Sequence, residues 1–271
     1  MSKLPRHVAR FVLLLCCVPL WSSTANSQIP FYTDDADTTA KGKFHLEIYN
    51  EHDWLQKSSY PTKRQNTLVV TVNYGVTTKL EWDVNAPLLT LINSHVVDPA
   101  NVTGVGDTQF GLKYRLHDER EGSRLPTLAV VFYVEVPTGN TQKQLGSGLT
   151  DFWLYGIAQK SVTKKTKIRL NGGILFSGNS STGLIGIRTE RGRIYTGNMS
   201  VARDYSDRLT LGAEVFGAVT GNFKLNRGQL TTQLGGHYSL TNKFMLTFGV
   251  LGGRFPASPR AGVHLGFAVD F

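Results

Sequence analysis

Cysteine is nearly missing from this 271-residue chain, and the two copies present, Cys16 and Cys17, both fall within its first 27 residues. Leu15 stands before Cys16, where a lipoprotein cleavage site needs a small residue. Beyond residue 27 the chain can form no disulfide, no thiolate metal site and no cysteine nucleophile. Long apolar runs are missing as well. No segment offers about 20 consecutive apolar residues, so no helical membrane span is expected. The run Phe11 to Trp21 is too short for one. With Lys3, Arg6 and Arg10 ahead of it and Ala25-Asn26-Ser27 behind it, residues 1–27 read as a removable signal peptide.

Concentrated charge is also absent. The formal net charge of +9 falls by three, to +6, when Lys3, Arg6 and Arg10 are set aside, because no Asp or Glu precedes residue 28. The remaining basic residues are dispersed. A nucleic-acid binder would gather them on one face beside stacking aromatics, so no nucleic-acid partner is expected. Enzyme signatures are scarce. Gly104-Val105-Gly106-Asp107 is a lone glycine pair ahead of a strand and not a phosphate-cradling loop. None of the histidines sits beside a serine in a nucleophile motif. Neither Asn93-Ser94-His95 nor His237-Tyr238-Ser239 supplies the outward Ser–His pair that an outer-membrane lipase needs. Asp34, Asp35 and Asp37 lack the glycine and distal Glu of a calcium loop. No catalytic residue, metal or cofactor is assigned.

What the chain does have is alternation. Val263, Leu265, Phe267, Val269 and Phe271 share one phase of a two-residue period, with His264, Gly266, Ala268 and Asp270 on the other. The sequence stops on the aromatic, which resembles the closing strand of a bacterial outer-membrane barrel and its assembly signal. The same alternation recurs from Phe44 onward in about 12 segments, separated in turn by long and short connections. Well-phased strands put Glu47, Glu81, Asp83, Lys113, Arg115, Glu135, Lys167, Arg169, Glu214, His264 and Asp270 on the less apolar phase. On a lipid-facing phase a basic side chain would cost roughly 2 to 4 kcal/mol. A soluble sandwich shows the same alternation in the opposite sense. The leader, the missing cysteines and the terminal Phe decide for an all-β, transmembrane, antiparallel up-and-down barrel.

The expected layout is a signal peptide over 1–27, an irregular periplasmic or lumenal segment over 28–42, and a barrel over 43–271. An even strand number puts both termini in the periplasm. Tyr74, Tyr114, Tyr238, Phe244 and Phe271 would then form a periplasmic aromatic rim, with Trp54 and Phe176 at the outer one. Trp153, Tyr155 and Ile157 are assigned to the outward face of a poorly phased strand. Segments Pro87–Gly106 and Ser177–Arg193 read as long outer loops able to gate the mouth. A regular hairpin would set Glu81 opposite Arg115 and Asp83 opposite Lys113. Such ion pairs suit either a selective pore or a closed, charge-satisfied lumen. Charge at Leu265 or Phe267 should impair assembly, and Ala268 should tolerate it better. The basic loop residues Lys57, Lys63, Arg64, Arg188, Arg191, Arg193 and Arg254 suit lipopolysaccharide phosphates, or are simply solvated.

Three motifs carry a family resemblance. Thr33-Asp34-Asp35 with Asp37-Thr38, Gly42 and Glu47 is one. Gly104-x-Gly106-Asp107 with Gly111-Leu112-Lys113-Tyr114 is the second, and Val136-Pro137-Thr138-Gly139 the third. Together they resemble the outer-membrane proteins of the meta-pathway phenol degradation family, often named transporters. The resemblance implies a barrel that admits hydrophobic or aromatic compounds, and no catalytic residue. The expected function is passive diffusion of small solutes across the bacterial outer membrane. Its partners would be the bilayer, lipopolysaccharide, the barrel assembly machinery and the solute. The alternatives are a closed structural or adhesive barrel and, more distantly, a lipid-modifying enzyme.

Overall fold

A computed structural model describes residues 30–56, 63–93, 100–177, 192–220 and 228–271. The leader, Lys57, Arg188, Arg191 and most of the segment Ser177–Arg193 lie outside the described residues. The strands are β1 (Phe44–Leu55), β2 (Arg64–Gly75), β3 (Leu80–Ile92), β4 (Val102–Val105), β5 (Thr108–His117), β6 (Thr127–Val136) and β7 (Asp151–Thr163). They continue as β8 (Thr166–Ser177), β9 (Gly192–Asp204), β10 (Leu209–Thr220), β11 (Gln229–Ser239), β12 (Phe244–Gly253) and β13 (Pro259–Asp270). β4 and β5 both pair antiparallel with β3, every other strand pairs antiparallel with its neighbours in sequence, and β1 returns to β13, with Leu46 opposite Val269 and Ile48 opposite Phe267. The sheet therefore closes on itself, and only the short β4 has a strand on one side alone.

The wall has twelve strands, because β4 and β5 are two halves of one. The far half of β3, Leu88–Leu91, pairs with β4, and its near half, Leu80–Asn85, pairs with β5. The break falls at Gly106-Asp107 opposite Pro87. Proline has no N–H for the ladder, but its carbonyl accepts from Gly106 N at 2.9 Å. Pro87 to Ile92 is thus strand and not loop. The pairing slips by one residue across the break, from Leu88 opposite Val105 to Leu80 opposite Tyr114, and in this register Glu81 faces Lys113 and Asp83 faces Gly111, two residues from the pairing expected. The regular hairpin expected from sequence had no place for the break.

Alternation fixes which side chains point outward. Leu112, Met199, Leu234, Val250, Val263 and Leu265 are exposed on the outer face, and Phe271 ends β13 beside Phe44. Inward positions carry Glu47, Glu81, Asp83, Lys113, Glu214 and His264, all buried. Strand β7 corrects the sequence reading. Ile157 is buried against Ala129 and Val131, Tyr155 joins the same cluster from inside, and Trp153 packs on Leu175, Ile194 and Ala218. Phe152 and Leu154 take the outer face instead. Both phases of β7 are apolar because its inner side covers packed contents, so hydrophobicity alone carries no phase. Ala268 is 0 % exposed opposite Glu47. A charge there would be forced into packed wall, and Thr67, half-buried on β2, is the better inward control for charge at Leu265.

The expected aromatic rims are partly visible as contacts. Tyr74 lies 4.7 Å from Phe44, and Phe244 lies 5.6 Å from Phe267, both near the short-turn end. Trp54 and Phe176 are exposed toward the long-loop end. Lys63, Arg64, Arg193 and Arg254 stand at that same end, where β1, β2, β8, β9 and β12 meet their connections.

Candidate functional site: the filled lumen

Residues 30–42 form no strand and run through the inside of the barrel. Irregular backbone needs partners for its own N–H and C=O groups, and inward wall side chains supply them. Glu214 on β10 accepts from Tyr32 N at 2.9 Å, Thr33 N at 2.8 Å and the Thr33 hydroxyl at 2.7 Å. Asn171 on β8 accepts from Asp34 N at 2.6 Å and donates to Asp34 O at 3.0 Å. Gln233 on β11 donates to Pro30 O at 2.6 Å, and Glu81 accepts from Thr39 N at 2.5 Å. At the short-turn end Lys41 bridges to Gly75. A Cβ at Gly75 would strike the carbonyls of Thr39 and Ala40. A Cβ at Gly212 would come within 2.9 Å of the Phe31 ring.

The charges of this segment meet the charges of the wall. Lys113 Nζ is fully buried, 3.1 Å from Asp34, 3.2 Å from Glu81 and 3.8 Å from Asp35, and it donates to Asp37 O at 3.2 Å. Arg169 reaches Asp35 at 3.7 Å and Lys167 reaches Asp37 at 3.6 Å. Tyr155 donates to Asp34 at 2.9 Å and Tyr133 to Asp83 at 3.2 Å. Ion pairs this buried repay their desolvation only when further hydrogen bonds complete them, and here the tyrosines and backbone do so. Three more wall residues pair along β1 and β13: His45 lies 2.6 Å from Asp270 and 3.0 Å from Glu47. Arg115 stands apart from the cluster, bound to Asp118 at 2.9 Å and to Thr78 O at 2.6 Å near a turn.

Above the filled section, toward the long loops, lies a chamber of about 400 Å³. Its carboxylates are Asp34, Glu47, Glu51, Asp53, Asp107, Glu135 and Asp151, and its aromatic walls include Phe31, Tyr32, Tyr49, Tyr133, Trp153 and Phe216. Among the described residues none of its lining is Lys, Arg or His. Glu135 is held by Gln109 at 2.6 Å. His264 lies behind the lining, stacked on Tyr49 at 4.6 Å and 3.6 Å from Glu51.

One long-loop segment folds over the chamber. Asp107, freed by the strand break, accepts from Gly139 N at 2.9 Å and from Ser147 N at 2.7 Å. Thr138 Oγ1 donates to Gly106 O at 2.7 Å and accepts from Thr108 N at 3.0 Å. These bonds join two of the three motifs singled out in the sequence. They tuck Leu145 against Leu89, Leu91 and Val102 at the chamber's lip. Among the described residues, 137–150 lies over the mouth; residues 94–99 of the expected gating stretch Pro87–Gly106 lie outside the described residues.

The sequence marks Asp34, Asp35, Asp37 and Asp107 only as members of family motifs, with no partner or role assigned, and does not single out Glu51, Asp53 or Asp151. Carrying the inward phase of β1 on from Glu47 would have found Glu51 and Asp53. Nothing local marks Asp151, whose strand has no polar phase. Among the described residues no group of three His, Cys, Asp or Glu side chains is placed to hold a metal ion.

Comparison with known proteins completes the description. Residues 27–271 match the family described as "Putative MetA-pathway of phenol degradation". The fold is similar to the crystal structure of an outer membrane channel from Pseudomonas putida F1, with a TM-score of 0.66 and 17% identity over 88% of this chain and 98% of that one. It is also similar to the NanC porin, with a TM-score of 0.57 and 10% identity over 83% of this chain and 98% of that one. The KdgM porin follows with a TM-score of 0.52 and 11% identity, over 84% of this chain and 99% of that one. No curated protein matches the sequence.

Proposed function

The chain belongs to this phenol-degradation family, and from that premise we propose that it is a passive outer-membrane channel for small solutes, aromatic ones included. The long-loop end faces the cell exterior and the short-turn end the periplasm. Solute enters beside Leu145, occupies the aromatic-walled chamber, and passes inward when residues 30–42 shift. The observation that carries this reading is the chamber itself. It is a preformed space of about 400 Å³, separated from the short-turn end by a segment held through hydrogen bonds and ion pairs and by no covalent cross-link. Glu47, Glu135, Glu214 and the Lys113 cluster line the route. Val263, Leu265, Phe267, Val269 and Phe271 face lipid and supply the assembly signal. Lys63, Arg64, Arg193 and Arg254 meet lipopolysaccharide phosphates.

The similar structures described above are a channel and two porins, and no catalytic residue is assigned among the described residues. A second reading, a closed structural barrel, is favoured by one observation: Lys113 is fully buried in ion pairs, as a permanent seal would have it. Planar-bilayer recording of the refolded chain without its leader separates the two. The channel reading expects discrete current steps that added phenol shortens. A verified, inserted barrel that stays silent with and without phenol would support the closed structure.

A further inference from the structure

The chamber is acidic although the chain as a whole carries a formal charge of +9. The basic side chains that reach the lumen lie below, where Lys113, Arg169 and Lys167 are taken up by Asp34, Asp35, Glu81 and Asp37. One corner of the chamber holds three side-chain oxygens without hydrogen-bond partners. Glu51 and Asp53 occupy successive inward positions of β1, and Gln65 on β2 faces Asp53 across the ladder. Their relative exposures are 6 %, 1 % and 1 %, yet all three line the cavity. Glu51 Oε2, Asp53 Oδ1 and Gln65 Oε1 have no hydrogen-bond partner. Glu51 and Asp53 also interact with each other, and Gln65 donates to Thr67 at 3.0 Å, which leaves these three oxygens open. Tyr32 donates to the other Glu51 oxygen at 2.7 Å, and His264 Nδ1 stands 3.6 Å from Glu51 Oε2, within ion-pair distance and beyond hydrogen-bond reach.

Buried acceptors without donors are costly, and adjacent carboxylates more so. What would satisfy all three is a compact group with several N–H donors and a positive charge. Around this corner the walls are aromatic: Tyr49 beside it, and Tyr32 against Phe216 with rings 4.6 Å apart. Aromatic faces attract organic cations and accept flat apolar bodies equally well. A metal ion fits less well, since no metal-holding group of His, Cys, Asp or Glu exists among the described residues.

We propose that the Glu51–Asp53–Gln65 corner binds the ammonium group of small organic amines, with the ring or chain of the amine lying on the chamber's aromatic walls. The inference rests on the channel reading above and gives it a charge preference: protonated amines over neutral analogues, and both over carboxylates. Three probes share one ring and differ in charge: benzylammonium, benzyl alcohol and benzoate. Binding to the full chain without its leader, refolded in detergent, is followed at neutral pH by equilibrium dialysis and by quenching of Trp153.

Benzylammonium is expected to bind about tenfold more tightly than benzyl alcohol, as for a charge-assisted contact, with benzoate weakest. The Glu51→Gln/Asp53→Asn double variant should remove that advantage and leave benzyl alcohol unchanged. If the double variant does not refold, Gln65→Glu should instead tighten benzylammonium. Benzoate binding as well as benzylammonium, an unchanged affinity in the double variant, or equal displacement by potassium would each overturn the proposal. The two readings fail separately. A silent bilayer with charge-selective binding removes the channel, and a conducting barrel indifferent to ligand charge removes the amine site.

Discussion

A Lys113→Met variant is expected to lose roughly 3 to 5 kcal/mol of folded stability, the cost of stripping one partner from a buried ion-pair network. The Lys113 ammonium lies 3.1 Å from Asp34 and 3.2 Å from Glu81 and donates to Asp37 O, so its removal strands carboxylates of the wall and of the lumenal segment together. Methionine keeps the length of the side chain, so little of the loss comes from an empty space. Urea unfolding in lipid vesicles, followed by tryptophan fluorescence, measures it. Adding Glu81→Gln should recover part of the loss, because residues in one network do not add independently. A change in Lys113→Met below about 0.5 kcal/mol, the range of ordinary surface substitutions, would mean that the cluster is not a structural lock.

Deleting residues 30–42 is expected to raise conductance several-fold while leaving the barrel assembled. The wall strands close the ring through their own pairings, and the one backbone bridge from this segment, Lys41 to Gly75, lies at the end of β2. The lumen does need the segment. Without it Glu214, Asn171 and Gln233 lose partners and face water instead, which solvates them at little cost. A lumen of this strand number that is not filled by side chains or chain segments holds a continuous aqueous path. Bilayer recording of the deleted and full chains side by side gives the answer. Equal conductance would mean that residues 30–42 do not limit passage.

Much of the wall was legible from the sequence, because lipid on one side and a polar lumen on the other impose a strict two-residue period. The closing strand shows this best: Val263, Leu265 and Phe267 alternate with His264, Gly266 and Ala268, and the structure keeps that phase. Legibility failed where the period carries no contrast. Strand β7 is apolar on both sides, since Trp153 and Ile157 cover packed contents while Phe152 and Leu154 face outward. It failed again at Pro87, where a strand continues through a residue that reads as a loop signal, and the observed register sets Lys113 opposite Glu81 and not Asp83. The lumenal segment was the hardest to see. Asp34 and Asp35 have no period of their own, and their meaning lies in Lys113 and Arg169, far away in sequence. Only the completed barrel brings those residues within reach.

A filled lumen requires residues 30–42 to reside inside the folded barrel. Hydrogen exchange of the backbone amides of Thr33, Asp34 and Thr39 tests this directly, because these N–H groups donate to Glu214, Asn171 and Glu81 of the wall. Amides held in this way exchange only when the segment leaves the lumen or the barrel opens. The expected result is slow exchange at all three positions, closer to the wall strands than to the turn at Thr77–Lys79. Exchange as fast as in that turn would place the segment outside the lumen and contradict the account.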